Sequence, residues 1–161
     1  MAHRIYKRLN HEAPHWVDAD ADYFLTLCAD PRGKNHFCQQ AIAKELLHAI
    51  QIYHDKQLWY CHVAVLMPDH LHLLVAIPPD KTLSQVVGLW KRAISRNLSI
   101  PWQRNFFDHR LRNEENFGDK CEYILHNPVR AGLVEREEDW PYTWLPEPPP
   151  LGTAAATSSP S

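Results

Sequence analysis

The stretch at residues 65–79, VLMPDHLHLLVAIPP, is the feature that most constrains the fold of this chain. Pro68 and Asp69 are typical turn residues, and the apolar run after them has the two-residue period of a strand. One face of that strand carries His70 and His72. The other face is aliphatic and consists of Leu71, Leu73, Val75 and Ile77. We therefore expect the aliphatic face to pack beneath helices and the two imidazoles to lie on the opposite face of a sheet.

Hydrophobic periodicity divides the rest of the chain into strands and helices. It predicts strands at 22–29, 58–67, 70–77 and 105–112. Helices are predicted at 35–53 and 83–98, the second beginning with a Thr82/Gln85 capping box. A third helix is predicted after an Asn113 cap, burying Phe117, Cys121, Ile124 and Leu125 and ending within residues 127–134. The order β-α-β-β-α-β followed by a helix predicts the α+β class, as a ferredoxin-like antiparallel sheet with two crossover helices on one face. The additional helix either covers the other face or leaves it open.

Length and composition indicate one globular domain at residues 21–145, with 45% hydrophobic and 22% charged residues. Residues 1–20 are expected to form an irregular arm and residues 146–161 a disordered tail rich in Pro, Ala and Ser. The sequence has neither a signal peptide nor a bilayer-length apolar run, so a cytoplasmic location without membrane contact is predicted. The four cysteines lack CxxC spacing and are expected to be reduced thiols.

Basic residues are concentrated in the segment 81–112, although the net charge is -2 and the pI is about 6.6. That segment contains seven basic residues and one acid, Asp108. Such an asymmetry can create a local positive surface that attracts nucleic acid. A solvated helix face is the other interpretation of the same pattern.

The histidine pair and a downstream tyrosine together suggest a chemistry. Two imidazoles on one strand face can bind a divalent metal, although packed or solvated pairs are common in a chain with eleven histidines. Tyr123 lies on the side of the third helix away from its apolar residues, so it can approach His70 and His72 if that helix covers the sheet. A metal beside a tyrosine suggests covalent phosphoryl transfer by the phenolate. Asp69 is expected to act as a turn residue that faces away from His70.

The motifs MPDHLHLLV, YILHNPVRAGLV and EDWPYTW, in this order, resemble those of the REP-associated tyrosine transposases. These are single-tyrosine HUH transposases, and the resemblance covers residues 23–144. It implies metal-dependent nicking and strand transfer on single-stranded or hairpin DNA. His70 and His72 would then hold Mg²⁺ or Mn²⁺, and Tyr123 would form a 5′-phosphotyrosine and leave a 3′-hydroxyl. Asn127, one helical turn after the tyrosine, takes the position of the third ligand in related transposases.

The resemblance also gives the basic segment a role in binding DNA phosphates. The predicted contacts are Lys91, Arg92, Arg96, Arg104, Arg110 and Arg112. Trp102 is a candidate for stacking on bases, whereas Trp90 is expected in the core. The protein would act as a monomer or homodimer at the bacterial nucleoid. Two other functions remain open: a structured-DNA or RNA binding module that does not cut, and a hydrolase using a metal-bound water.

Overall fold

The computed structural model describes residues 13–17, 21–111 and 114–147. The first half contains strand β1 (Asp22–Cys28), helix α1 (Gln40–Asp55), strand β2 (Tyr60–Leu66) and strand β3 (His70–Ala76). The second half contains helix α2 (Leu83–Ser95), strand β4 (Phe107–Leu111), helix α3 (Glu114–Arg130), a 3-10 turn (Glu137–Asp139) and strand β5 (Thr143–Trp144).

The five strands form one antiparallel sheet in the order β4-β1-β3-β2-β5. The first four strands and the helices α1 and α2 have the βαββαβ arrangement, so the predicted ferredoxin-like fold is confirmed. Strand β5 was not predicted. It has two residues, and it extends the sheet at the β2 edge by pairing Trp144 with Ala64 and Thr143 with Val65.

The sheet separates two apolar clusters. The first lies beneath α1 and α2 and includes the aliphatic face of β3 together with Trp59 and Trp90, both fully buried. The second lies between the opposite face of the sheet and α3, where Phe24, Val65 and Leu74 of the sheet contact the helix. The helix contributes Phe117, Cys121, Ile124 and Leu125 to this cluster. Helix α3 therefore covers the face that carries the histidines, and the predicted orientation of β3 is confirmed.

The start of helix α1 differs from the sequence prediction, whereas the end of helix α3 lies within the predicted range. Helix α1 begins at Gln40 rather than at residue 35, because the Asn35 side chain accepts a hydrogen bond from the Cys38 N–H (2.9 Å) and donates one to its carbonyl (3.1 Å). These bonds fold the preceding residues into a turn. Helix α3 continues through Pro128 to Arg130. It ends in a Schellman motif, with Gly132 at φ +74° and hydrogen bonds from Gly132 and Leu133 back to the last turn.

Parts of the predicted arm and tail, together with Arg112 and the predicted cap Asn113, lie outside the described residues. Of the arm, residues 13–17 are described: Val17 is buried and Trp16 packs edge-on against Tyr60. All four cysteines are free thiols, as predicted. In the described ranges no helix is both long and apolar enough to span a bilayer.

Candidate active site

The two histidines lie side by side at the start of β3, beneath α3. Their ring centroids are 4.8 Å apart. The side chain of His72 is buried, and that of His70 is partly exposed. The strand register places Thr26 beside His72 and Cys28 beside His70 on the neighbouring strand β1. The pair is therefore built on β3, the central strand of the sheet, whose backbone is held by β1 on one side and β2 on the other.

Each imidazole is fixed by a hydrogen bond at its Nδ1 atom. In His70 this nitrogen lies 2.8 Å from Oδ1 of Asp69, and in His72 it lies 3.0 Å from Oγ1 of Thr26. The Nε2 atom of each ring is thus the nitrogen through which it could bind a metal. Ligating histidines commonly have their other nitrogen held in this way by a second residue, which sets the ring orientation.

Asp69 corrects a sequence expectation, because its carboxylate turns toward His70 rather than away from it. The other carboxylate oxygen, Oδ2, accepts hydrogen bonds from the Arg32 Nε (2.9 Å) and the Gly33 N–H (2.7 Å). Burial acts to raise the pKa of Asp69, but the hydrogen bonds from His70, Gly33 and Arg32 hold it well below its ordinary value. Alternation along a strand could not find this contact, since Asp69 belongs to the turn that precedes β3.

Burial lowers the pKa of His72 to about 3, and the nearby charges of His70 and Arg130 act in the same direction. The ring is therefore neutral near pH 7. A neutral imidazole is the form that coordinates metal ions.

Helix α3 brings Tyr123 to the histidine pair, as the sequence predicted. The Tyr123 ring centroid lies 6.0 Å from that of His72. It also meets the Phe24 ring edge-on at 5.8 Å, while Phe24 stacks on His72 at 5.4 Å. The tyrosine is 37% exposed. The aromatic contacts orient the phenol from below, and solvent or a substrate can reach it from outside.

Two cations of α3 flank the tyrosine. The Arg130 Cζ lies 4.1 Å from the centroid of the Tyr123 ring, and the Lys120 Nζ lies 5.5 Å from it. Positions 120, 123, 127 and 130 follow one another at three- and four-residue steps, so they share one side of the helix. This helical spacing is the sequence signal that places both cations beside Tyr123.

Asn127 lies one turn after Tyr123, and its amide nitrogen is buried without a hydrogen-bond partner among the described residues. The nitrogen and oxygen of an amide exchange positions by a half-turn of the group, so this orphaned end can also present an oxygen. The neighbouring His126 instead contacts Glu137, with 3.0 Å from Nδ1 to Oε1. Over the described ranges no three His, Cys, Asp or Glu side chains are grouped for metal binding. The candidate ligands are thus two imidazoles and one amide.

The predicted DNA-contacting cations that belong to the described residues lie apart from Tyr123. Lys91, Arg92 and Arg96 belong to α2, which packs on the other face of the sheet. Arg110 pairs with Tyr23 in the β1–β4 register, and Tyr23 packs against the cluster under α1 and α2. The charge run carried no information about the face on which each of its residues would lie.

A separate cleft of about 430 Å³ is present on this far face, between α2 and the segment leading into β4. Its lining includes Lys91, Arg104, Gly88 and Phe106. The Lys91 ammonium donates to the carbonyl of Gln103 (3.2 Å) and lies 5.5 Å from the centroid of the Trp102 ring. Trp102 packs against the first apolar cluster. Little of its ring face is therefore available for the predicted stacking on DNA bases.

The family model described as "Transposase IS200 like" matches residues 20–120, which include both histidines and end three residues before Tyr123. A Haemophilus influenzae protein named "Putative REP-associated tyrosine transposase" is 32% identical over 95 residues, covering 48% of this chain and 54% of that protein. The REP-associated tyrosine transposase of Escherichia coli is 29% identical over 82 residues, covering 49% of this chain and 50% of that protein. The chain therefore spans about half the length of these two relatives.

A solved structure of a REP-associated tyrosine transposase bound to a REP hairpin is also similar. It aligns with a TM-score of 0.67 and 25% identity, over 82% of this chain and 81% of that one. The resemblance stated from the motifs is confirmed by these matches.

Proposed function

We propose, from the premise that this chain belongs to the IS200-like transposase family, that it nicks and rejoins single-stranded DNA at hairpins through a 5′-phosphotyrosine. The observation that carries the proposal is the meeting of three side chains from two elements, β3 and α3, with His72 at 4.8 Å from His70 and at 6.0 Å from Tyr123 between ring centroids. A metal-binding pair and a partly exposed phenol are the two components that this reaction needs.

In the proposed step, Oη of Tyr123 attacks the phosphorus of the scissile phosphodiester. The Oη–P bond forms and the P–O3′ bond breaks, the phenolic proton is released, and the departing 3′ oxygen takes up a proton. The products are a 5′-phosphotyrosine and a free 3′-hydroxyl. Because one phosphate ester replaces another, a 3′-hydroxyl of a second strand can attack the phosphotyrosine in the reverse sense and restore the tyrosine.

The donor set fits a divalent cation. His70 and His72 present nitrogen ligands, and Asn127 has a buried amide end with no partner among the described residues. Imidazoles and an amide oxygen suit ions such as Mn²⁺, and oxygen ligands suit Mg²⁺. Such an ion, when bound, polarises the scissile phosphate and stabilises the charge that develops on it.

Arg130 and Lys120 have a role in the proposal that the charge run did not suggest. The guanidinium stacked on the Tyr123 ring keeps its N–H edge available for a phosphate oxygen, because stacking uses only the planar face. We assign Arg130 to the scissile phosphate and Lys120 to a neighbouring phosphate. The cations of α2 and of the loop before β4 are assigned to more distant parts of the DNA.

Hairpin DNA is the proposed substrate because a structure similar over most of this chain is described as bound to a REP hairpin. We extend that property to this chain only as a proposal, together with action on bacterial chromosomal DNA. A binding module that does not cut would use the same fold, and the experiment below separates the two.

The test is covalent trapping on a denaturing gel. Wild-type protein is mixed with labelled hairpin oligonucleotides carrying single-stranded flanks, in Mn²⁺, Mg²⁺ or EDTA. We expect a denaturation-resistant adduct that requires metal and is lost in Tyr123→Phe and His70→Ala. Tyr142→Phe is the matched control, since Tyr142 packs against the first apolar cluster on the far side of the sheet. Binding by the wild type without any adduct would favour the non-cutting module, and an adduct retained in Tyr123→Phe would overturn the mechanism.

A further inference from the structure

Strand β4 presents an aromatic surface beside the candidate active site. Phe107 is 62% exposed, which makes it the most exposed large hydrophobic residue in the described part of the chain. The next residue but one, His109, is also exposed. The exposed Phe107 and His109 form what we call the β4 platform.

The register of the sheet fixes the direction in which the β4 platform faces. Phe107 pairs with Thr26, and His109 pairs with Phe24. Directly paired residues of antiparallel strands project from the same face. Thr26 is hydrogen-bonded to His72 on that face, and Phe24 stacks on His72 there. The platform thus lies on the same face as His72 and Tyr123.

His72, Thr26 and Phe107 form a straight row across β3, β1 and β4. Neighbouring strands are about 4.8 Å apart, so the ring of Phe107 lies roughly 10 Å from the histidine across the sheet. A DNA strand held at Tyr123 and crossing the sheet along this row would place a nearby base over β4. Helix α3 covers the other end of β4, where Leu111 joins the cluster with Phe117, and it leaves Phe107 exposed.

Charge along this path favours a nucleotide over an apolar partner. The Lys120 ammonium lies 5.5 Å from the centroid of the Tyr123 ring and 5.0 Å from that of Phe24, which pairs with His109 of the β4 platform. A cation beside the row can neutralise the phosphate that links two nucleotides, and an exposed ring in the row can stack on a base of any sequence. Ferredoxin-like sheets in RNA-binding domains bind unpaired bases through surface aromatics in this manner.

We infer that the β4 platform is a nucleobase-stacking subsite, in which Phe107 holds a base adjacent to the scissile phosphate. The inference rests on the proposed function, because it requires a DNA strand at Tyr123. The proposed contact is between Phe107 and a base at one position of the DNA, and the β4 platform is separate from both the metal ligands and the nucleophile.

The test measures binding in EDTA, where no cleavage takes place. The probe is a hairpin oligonucleotide with single-stranded flanks, in which 2-aminopurine replaces one flank base at a time. We expect one position at which wild type quenches the fluorescence by stacking. Phe107→Ala should abolish that quenching and weaken binding about five- to hundred-fold, the range for loss of one stacked base. Phe107→Trp should retain both signals.

The matched control is Leu133→Ala, since Leu133 is also exposed, at 43%, but follows the end of α3 and lies outside β4 and α2. It should bind as wild type does. An abasic nucleotide at the quenched position should weaken DNA binding by the wild type. It should not further weaken DNA binding by Phe107→Ala, which has already lost the stacking contact.

If wild type forms the covalent adduct while Phe107→Ala matches it in binding and quenching, the subsite is wrong and the proposed function stands. If wild type binds no DNA and forms no adduct, the proposed function fails and the subsite fails with it.

Discussion

The Cζ atom of the Arg130 guanidinium lies over the Tyr123 ring, 4.1 Å from its centroid, which is a cation–π contact. The two residues are seven positions apart on α3, or about two helical turns. The same cation contributes to the low pKa of His72, after burial and the charge of His70. Arg130 therefore acts electrostatically on both the tyrosine side and the histidine side of the candidate site.

Replacing Arg130 should impair the chemical step. We expect Arg130→Ala to slow single-turnover adduct formation by about ten- to hundred-fold, the range for a hydrogen bond to a charged group. Arg130→Lys should recover part of the rate, because it restores the charge without the planar fork. Arg136→Ala is the matched control, since Arg136 is exposed and pairs with Asp139. A methylphosphonate at the scissile position replaces a charged phosphate oxygen by a methyl group, so it should reduce the difference in adduct-formation rate between wild type and Arg130→Ala. If that rate difference is unchanged, Arg130 does not contact the scissile phosphate.

Asp69 should govern metal affinity through the orientation of His70. Asp69→Ala removes the carboxylate that lies 2.8 Å from the His70 Nδ1, and loss of such a partner typically costs about ten- to hundred-fold in metal affinity or activity. We expect the Mn²⁺ concentration giving half-maximal adduct to rise by that factor, with most of the rate recovered at saturating metal. Asp80→Ala, an exposed aspartate in the turn after β3, should leave the metal titration unchanged. Equal titrations for Asp69→Ala and wild type would contradict the positioning role.

The fold and the central site geometry could be predicted because both depend on short-range periodicity. The two-residue period of β3 decides which face His70 and His72 occupy, and helical spacing decides that Tyr123 projects away from Phe117 and Cys121. Once α3 covers the sheet, these two facts bring the tyrosine to the histidines. Neither step needs a side-chain contact that depends on fine geometry.

The parts that could not be predicted depend on tertiary placement or on turns. The run of positive charge did not reveal that Arg110 would project from the face of β4 opposite Tyr123, because charge carries no record of the register that sets the face of a strand residue. Asp69 lies in a turn, where no period fixes the direction of a side chain. Strand β5 is two residues long, which is too short for any alternation to be recognised.

The cations of α2 should affect DNA binding and chemistry differently. Arg92 and Arg96 lie on the face opposite Tyr123, so the double variant Arg92→Ala/Arg96→Ala should weaken hairpin binding and reduce its salt dependence. At saturating DNA its rate of adduct formation should equal that of wild type. Glu45→Gln, a change of one charge on the neighbouring exposed surface of α1, serves as the control. A slower adduct rate at saturation would mean that these arginines act on the reacting phosphate, and unchanged binding would remove them from the DNA interface.

The buried contact between Asp22 and His62 should matter for stability rather than for catalysis. Asp22 Oδ1 lies 2.9 Å from His62 Nε2, and both side chains are almost fully inaccessible, at 5% and 1%. Asp22→Ala removes the carboxylate that lies 2.9 Å from the buried imidazole, so it is expected to lower the free energy of unfolding by about 1–3 kcal/mol, the usual cost of losing one partner of a buried hydrogen bond. Urea unfolding followed by circular dichroism measures this change. Asp139→Ala, which breaks an exposed ion pair with Arg136, should have little effect. An Asp22→Ala protein as stable as wild type would show that this contact does not stabilise the fold.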